Sequence, residues 1–142
     1  MRLYARASVL VDAAIGRAGD VDSAVVVMET KAGVQCQIIN SRRAAYGYDQ
    51  RIEAFGEKGL LLAGNRNARS LQAWGAEGIV SEKPLYFFLE RYAEAYKAEM
   101  AHFLACLAGK EQPKVAAADG LRALELAEAA NASLKSGQAV AL

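Results

Sequence analysis

The hydrophobic pattern of this chain changes period once. Up to Ala63 its apolar residues mostly alternate with polar ones, and from Leu85 onward they return every three or four residues. A period of two belongs to a half-covered β-strand, and a period near 3.6 to an amphipathic helix. Strands first and helices afterwards, without βαβ alternation, restrict the fold to an α+β layer. The expected architecture is an open, mostly antiparallel sheet with two long helices packed on one face.

Leu3 to Val11 is apolar and β-branched enough for a strand, and Asp12 to Asp22, rich in Ala, Gly and Asp, is expected to be irregular. Ser23 to Thr30 (SAVVVMET) is nearly continuous in apolar residues, hence a central strand. Lys31-Ala32-Gly33 turns the chain into Val34 to Ser41. There Val34, Cys36 and Ile38 share one face and Gln35, Gln37 and Ile39 the other. Gln50 to Phe55 alternates again, Ile52 and Ala54 against Arg51, Glu53 and Phe55, and Glu57-Lys58-Gly59 is a hairpin turn into Leu60 to Ala63. Between Gly64 and Glu82 the turn residues Asn65, Asn67, Gly75 and Gly78 surround a short strand near Leu71 to Trp74.

The second half is helical. Leu85, Leu89, Tyr92, Tyr96, Met100, Phe103 and Leu107 form one helix face, with Pro84 suited to the first turn and Gly109 to the end. A second helix is expected from an Asp119 N-cap, turning Leu121, Leu124, Ala127, Ala130 and Leu134 inward and stopping at Gly137.

With 142 residues, 54% of them hydrophobic and 23% charged, the chain has the size and composition of one folded domain, residues 1–142. A net charge of +1, with both signs interspersed, gives no electrostatic reason to bind nucleic acid or an acidic membrane. Cys36 and Cys106 are far apart, with no CxxC, and are expected to be buried free thiols in a reducing compartment. No apolar run approaches the ~18 residues of a membrane span, and the first residues lack a signal peptide's apolar region and cleavage site. A cytoplasmic setting is the expectation.

Catalytic signatures are missing. There is no GxGxxG after a strand, no GxxxxGK[ST], no HExxH and no GxSxG. Paired metal-ligand spacings are absent too, so no metal site is expected. His102, the one histidine, falls away from the apolar stripe and is expected to be a helix-surface residue.

One stretch stands out: RRAAYGYDQR, Arg42 to Arg51, which brings two phenols, a carboxylate and three guanidinium groups to the end of a strand. Its wider context, INSRRAAYGYDQRIEAFGEKGLLL (38–62), resembles the sheet of the C-terminal domain of the inositol 2-dehydrogenases. These belong to the glucose–fructose oxidoreductase/inositol dehydrogenase (Gfo/Idh/MocA) family. KPLYFFLERYAEAYKAEMAHFLACLAG (83–109) is similar to the helix that follows there, and DGLRALELAEAANASLKSGQAV (119–140) to the terminal helix and tail. The resemblance runs along essentially the whole chain, in order.

Such a resemblance implies an enzyme of two parts: a Rossmann domain that binds NAD, and a C-terminal sheet domain that lines the substrate and joins subunits. This chain corresponds to the second part. It lacks the cofactor fingerprint, and its catalytic residues are expected to be none. Glu82-Lys83-Pro84 spells the family's EKP, but it precedes the long helix, where the family's catalytic lysine does not stand. The chain alone is therefore expected to bind no NAD and to be inactive; its partners would be the missing Rossmann domain, a polyol substrate and further copies of itself.

For substrate contact the resemblance implies Tyr48, the second tyrosine of YGYD, and Tyr96, in AEAYKAE. A phenol offers a flat apolar ring and a hydroxyl that donates and accepts, and a cyclitol offers C–H faces rimmed by hydroxyls. Periodicity alone would put Tyr96 in the helix core and Tyr48 at a strand end, with Tyr46 and Asp49 as turn and sheet residues. The mixed face carrying Gln35, Gln37, Ile39, Arg51, Glu53 and Phe55 is the expected surface for a homo-oligomer. The alternative is a stand-alone, non-catalytic dimerisation or polyol-binding module.

Overall fold

A computed structural model describes residues 1–142. In chain order its elements are β1 (Arg2–Ser8), α1 (Ala13–Arg17), β2 (Ser23–Glu29), β3 (Gln35–Ser41), β4 (Ile52–Gly56), β5 (Gly59–Ala63), β6 (Gln72–Gly75), β7 (Gly78–Ser81), α2 (Phe88–Arg91), α3 (Ala93–Leu107), α4 (Ala117–Ser136) and β8 (Val140–Ala141). Two compact units result: Met1–Arg43 with Lys114–Leu142, and Ala44–Pro113. No helix is long and apolar enough to cross a membrane.

The first unit is a four-stranded antiparallel sheet, order β3-β2-β1-β8, with α4 packed on β1. Register puts Ala5, Val26 and Ile38 in one row and Leu3, Met28 and Cys36 in the next. Leu3 and Ala5 are buried with Ala129 of α4, and Val26, Met28, Leu126, Ala130, Leu134 and Val140 pack around them. Ser133, fully buried, accepts a hydrogen bond from the Ala5 N–H (3.0 Å) and donates to the Gln138 carbonyl (2.7 Å), which ties helix to strand and tail. The opposite face, with Tyr4, Val25, Val27, Gln35, Gln37 and Ile39, is exposed.

Several expected boundaries move for local reasons. Within the segment expected to be irregular, Asp12 caps a short helix by accepting from the Ala14 N–H at 2.8 Å. Helix α4 begins at Ala117, so Asp119 is not the N-cap. It sits in the first turn, and its carboxylate accepts from the Ala116 N–H at 2.8 Å. Gly137, at φ +68°, ends the helix in the left-handed region.

Asp22 anchors the loop around α1. Burial would raise its pKa, but hydrogen bonds from the Leu10, Asp12 and Val11 backbone N–H groups, and from the Ser23 hydroxyl, outweigh burial and hold it well below the carboxylate range.

The second unit contains two antiparallel ribbons, β4-β5 and β6-β7, each closed by a tight turn with glycine at positive φ, Gly59 (+138°) and Gly78 (+127°). Strand pairing is thus antiparallel throughout but divided among three sheets, with β3 and β4 in different ones. The expected single helix from Leu85 starts at Phe88 and is interrupted at Tyr92, whose φ of −100° separates α2 from α3. Pro84 therefore stands before the helix, bridged to Asn67, and not in its first turn. On α3 the stripe Tyr96, Met100, Phe103 and Leu107 is exposed.

Both cysteines are free, but neither is buried: Cys36 is exposed and Cys106 half-buried. Four-residue helical spacing brings His102 Nε2 to 3.6 Å from the Cys106 sulfur. His102 Nδ1 also lies 2.7 Å from Glu111 Oε2, so its environment is more than a bare helix surface.

Candidate functional site

The YGYD segment is fixed by backbone bonds to the lead-in of α2. The Tyr48 N–H donates to the Leu85 carbonyl (2.9 Å), and the Leu85 N–H to the Arg66 carbonyl (2.8 Å). Gly47 makes this possible. It is buried at φ +140°, and a Cβ there would lie 2.7 Å from the Pro84 carbonyl oxygen.

This stitching turns the Tyr48 side chain onto the helix. The Tyr48 and Tyr92 rings meet edge-on with centroids 5.6 Å apart, and Tyr92 meets Tyr96 the same way at 6.0 Å. Tyr92, expected only as a member of the apolar stripe, is the middle of a three-ring row that joins the two tyrosines singled out for substrate contact. The row is polar at its hydroxyl end: Tyr92 Oη is 3.4 Å from Tyr48 Oη and donates to Gln50 Oε1 at 2.7 Å. Its contact with Tyr48, then burial, raises the Tyr92 pKa. Beside the row is an open cavity of about 350 Å³ lined by Tyr92, Ala95, Tyr96 and Glu99.

A second network lies behind Tyr48. Asp49 accepts from the Tyr46 hydroxyl, from Arg51 through Nε (2.8 Å) and a terminal nitrogen (2.9 Å), and from Asn65 Nδ2 (2.7 Å). Those bonds, Tyr46 first, bring the Asp49 pKa down to about 2, and the same bond raises that of Tyr46. Asn65 closes the loop by accepting the Gln50 backbone N–H at 2.8 Å. Tyr46 and Asp49 are thus supports, while Gln50 and Asn65 are participants that local pattern did not single out.

Arg51 lies just outside β4 and is engaged with Asp49, whereas Glu53 and Phe55 lie on β4 and Gln35, Gln37 and Ile39 on β3. Of the six residues expected to make one mixed face, five are therefore divided between two sheets and Arg51 lies outside both. Lys83 is exposed; its neighbours are structural, Glu82 pairing with Arg69 at 2.7 Å and Pro84 lying against Gly47. A larger open groove of about 560 Å³ along α4 and β8 is lined by Leu121, Leu124, Ala129, Val140 and the charged Arg122 and Glu128, among others, and holds no tyrosine.

Residues 5–142 match the model of the oxidoreductase family's C-terminal alpha/beta domain. The chain is 46% identical over 140 residues to the myo-inositol 2-dehydrogenase of Thermotoga maritima, covering 99% of this chain and 42% of that protein. It is 32% identical over 124 residues to the scyllo-inositol 2-dehydrogenase (NAD(+)) of Bacillus subtilis, covering 87% of this chain and 36% of that one. A crystal structure of a myo-inositol dehydrogenase from Corynebacterium glutamicum superposes with a TM-score of 0.92 at 37% identity, over 99% of this chain and 43% of the other. The chain spans about two fifths of the length of the relatives it matches. It belongs to the glucose–fructose oxidoreductase/inositol dehydrogenase family, and what it supplies is that family's C-terminal α/β domain.

Proposed function

We propose that the chain is the substrate-lining and self-association domain of an NAD-dependent inositol 2-dehydrogenase-like oxidoreductase acting on a cyclitol hydroxyl. The observation that carries this reading is the row Tyr48–Tyr92–Tyr96 with its hydroxyl end on Gln50. Edge-on rings expose apolar faces, and the hydroxyls beside them match a ring with C–H faces and an equatorial rim of O–H groups. Each added hydrogen bond contributes about 1 kcal/mol, and a hydroxyl buried without a partner costs more, which is how the site selects. The reaction class is oxidation of a ring carbinol to a ketone. This chain's part is to hold and orient the ring.

Its residues do not form a dinucleotide cradle. The glycines at positive φ sit in turns between strands, in the loop before Tyr48, or after helix ends, and none opens a helix at the end of a strand. The reading assigns NAD, and the proton-accepting group, to a Rossmann domain outside this chain, in a cytoplasmic enzyme.

Self-association draws on two exposed apolar surfaces. Tyr4, Val25, Val27 and Ile39 lie on the uncovered sheet face beside Gln35 and Gln37, and Phe55, 85% exposed, shares a ribbon face with Glu53, Leu60 and Leu62. Monomeric proteins rarely leave such surfaces open.

The test is titration of myo-inositol into the chain carrying tyrosine labelled with carbon-13 at ζ. Shifts at Tyr48, Tyr92 and Tyr96 that saturate in the millimolar range, and tighten when a relative's Rossmann domain is added, are the expected result. Micromolar saturation without that domain would favour a stand-alone polyol-binding module. No shift at these tyrosines would sink the cyclitol reading.

A further inference from the structure

A phenol has one proton to give and two lone pairs to receive with. Tyr92 Oη stands between two oxygens, Gln50 Oε1 at 2.7 Å and Tyr48 Oη at 3.4 Å. The amide oxygen only accepts, so the Tyr92 proton is committed to it, and the Tyr92–Tyr48 contact then has a proton only if Tyr48 supplies it. We propose that Gln50 is a positioning residue for the polyol site: by taking the Tyr92 proton it sets the direction of a relay from Tyr48 to Tyr92 to Gln50, which leaves Tyr48 Oη toward ligand as a hydrogen-bond acceptor.

The surroundings hold Gln50 in place for this. Its backbone N–H is bonded to Asn65 Oδ1, Asn65 Nδ2 is bonded to Asp49, and Asp49 is gripped by Arg51 and Tyr46. The residue is half-buried. With Oε1 turned to Tyr92, the Gln50 amide nitrogen remains a donor.

The consequence for specificity rests on the cyclitol reading above, whereas the relay itself does not. A ring hydroxyl at Tyr48 must donate. Replacing it by fluorine, which accepts but cannot donate, is expected to weaken binding as much as replacing it by hydrogen, about fivefold. In Gln50→Leu the Tyr92 proton is released to Tyr48, Tyr48 becomes a donor, and the fluoro analogue recovers relative to the deoxy one.

The experiment uses the 142-residue chain with ζ-labelled tyrosine in mixed light and heavy water, where a slowly exchanging hydroxyl splits its ζ-carbon line. Tyr92 is expected to show the split line without ligand and to keep it in Gln50→Glu, which still accepts. It also keeps the line in Tyr48→Phe, because its acceptor is Gln50; that variant leaves residue 50 untouched should Gln50→Leu fold poorly. Loss of the split line at Tyr92 in Tyr48→Phe overturns the relay, because Tyr92 would then have been donating to Tyr48 and not to Gln50. A split line that behaves as expected, with no inositol-induced shift, leaves the relay standing and removes the cyclitol reading. Inositol-induced shifts with fast exchange at Tyr92 do the reverse.

Discussion

Gly47 passes so close to Pro84 that the two backbones leave no room for a side chain: a Cβ at position 47 would lie 2.7 Å from the Pro84 carbonyl oxygen. That oxygen belongs to backbone and cannot swing away. Gly47 also holds a φ of +140°, which an L side chain resists.

Gly47→Ala is therefore expected to destabilise the chain by about 2 to 3 kcal/mol, from strain and displacement together. The shift should also part Tyr48 from Tyr92. Urea unfolding gives the first quantity, and loss of the ring-to-ring nuclear Overhauser effect between Tyr48 and Tyr92 reports the second. Unchanged values of both would show that the 47–84 approach is not tight.

Acid stability should depend on Asp49 and Asp22. Both have folded-state pKa values depressed below their ordinary 3.8, Asp49 to about 2. A depressed carboxylate contributes stability above its unfolded pKa, and that contribution is lost as pH falls through the folded one. Stability is thus expected to be flat above about pH 5 and to drop below pH 4. Asp49→Asn should remove about 1 to 2 kcal/mol at pH 7 and flatten the acid limb. Asp22→Asn should lower the melting temperature and flatten the limb as well, because an amide is a poorer acceptor for three backbone N–H groups. Urea titrations from pH 2 to 7 measure each.

Ser133→Ala is expected to cost about 1 to 3 kcal/mol, because the buried Ala5 N–H and Gln138 carbonyl both lose their partner. Ser133→Thr, which keeps a hydroxyl but adds a methyl at a fully buried position, should also destabilise, through overpacking. Thermal melts of the two variants against the parent make the comparison.

Phe55→Glu is expected to shift the chain toward monomer in analytical ultracentrifugation, since it places a charge on the exposed apolar face shared with Leu60 and Leu62. An unchanged mass would remove this ribbon from the self-association surface.

Much of this fold was legible because its first strands and last helix announce themselves locally. SAVVVME is a nearly continuous apolar run and QCQIINS begins with a two-residue alternation, and both occur as strands at those places. What escaped is decided at a distance. Val140–Ala141 is too short to carry a pattern and is a strand only because β1 lies beside it. Gly78–Ser81 exists as the partner of Gln72–Gly75. The candidate site follows the same rule. Tyr48 and Tyr96 were chosen by resemblance, but Tyr92, Gln50 and Asn65 join them through contacts 15 to 44 residues apart. From periodicity Tyr92 belongs to an apolar stripe, and only the structure gives its hydroxyl an acceptor.

The tyrosine row lies within one unbroken stretch, Ala44–Pro113, while the four-stranded sheet and its helix are assembled from the two segments on either side of it. Ala5 and Ser133, which the hydrogen bond between them joins, are 128 residues apart in the chain. Closing so long a loop is entropically costly and slow, whereas the ribbons of the inner stretch need only neighbouring residues. Strands β1, β2 and β3 also pair with near neighbours and are made before the inner stretch, so what comes last is α4 with β8. A chain still without that last segment would leave Leu3 and Ala5 uncovered and its β1 edge open.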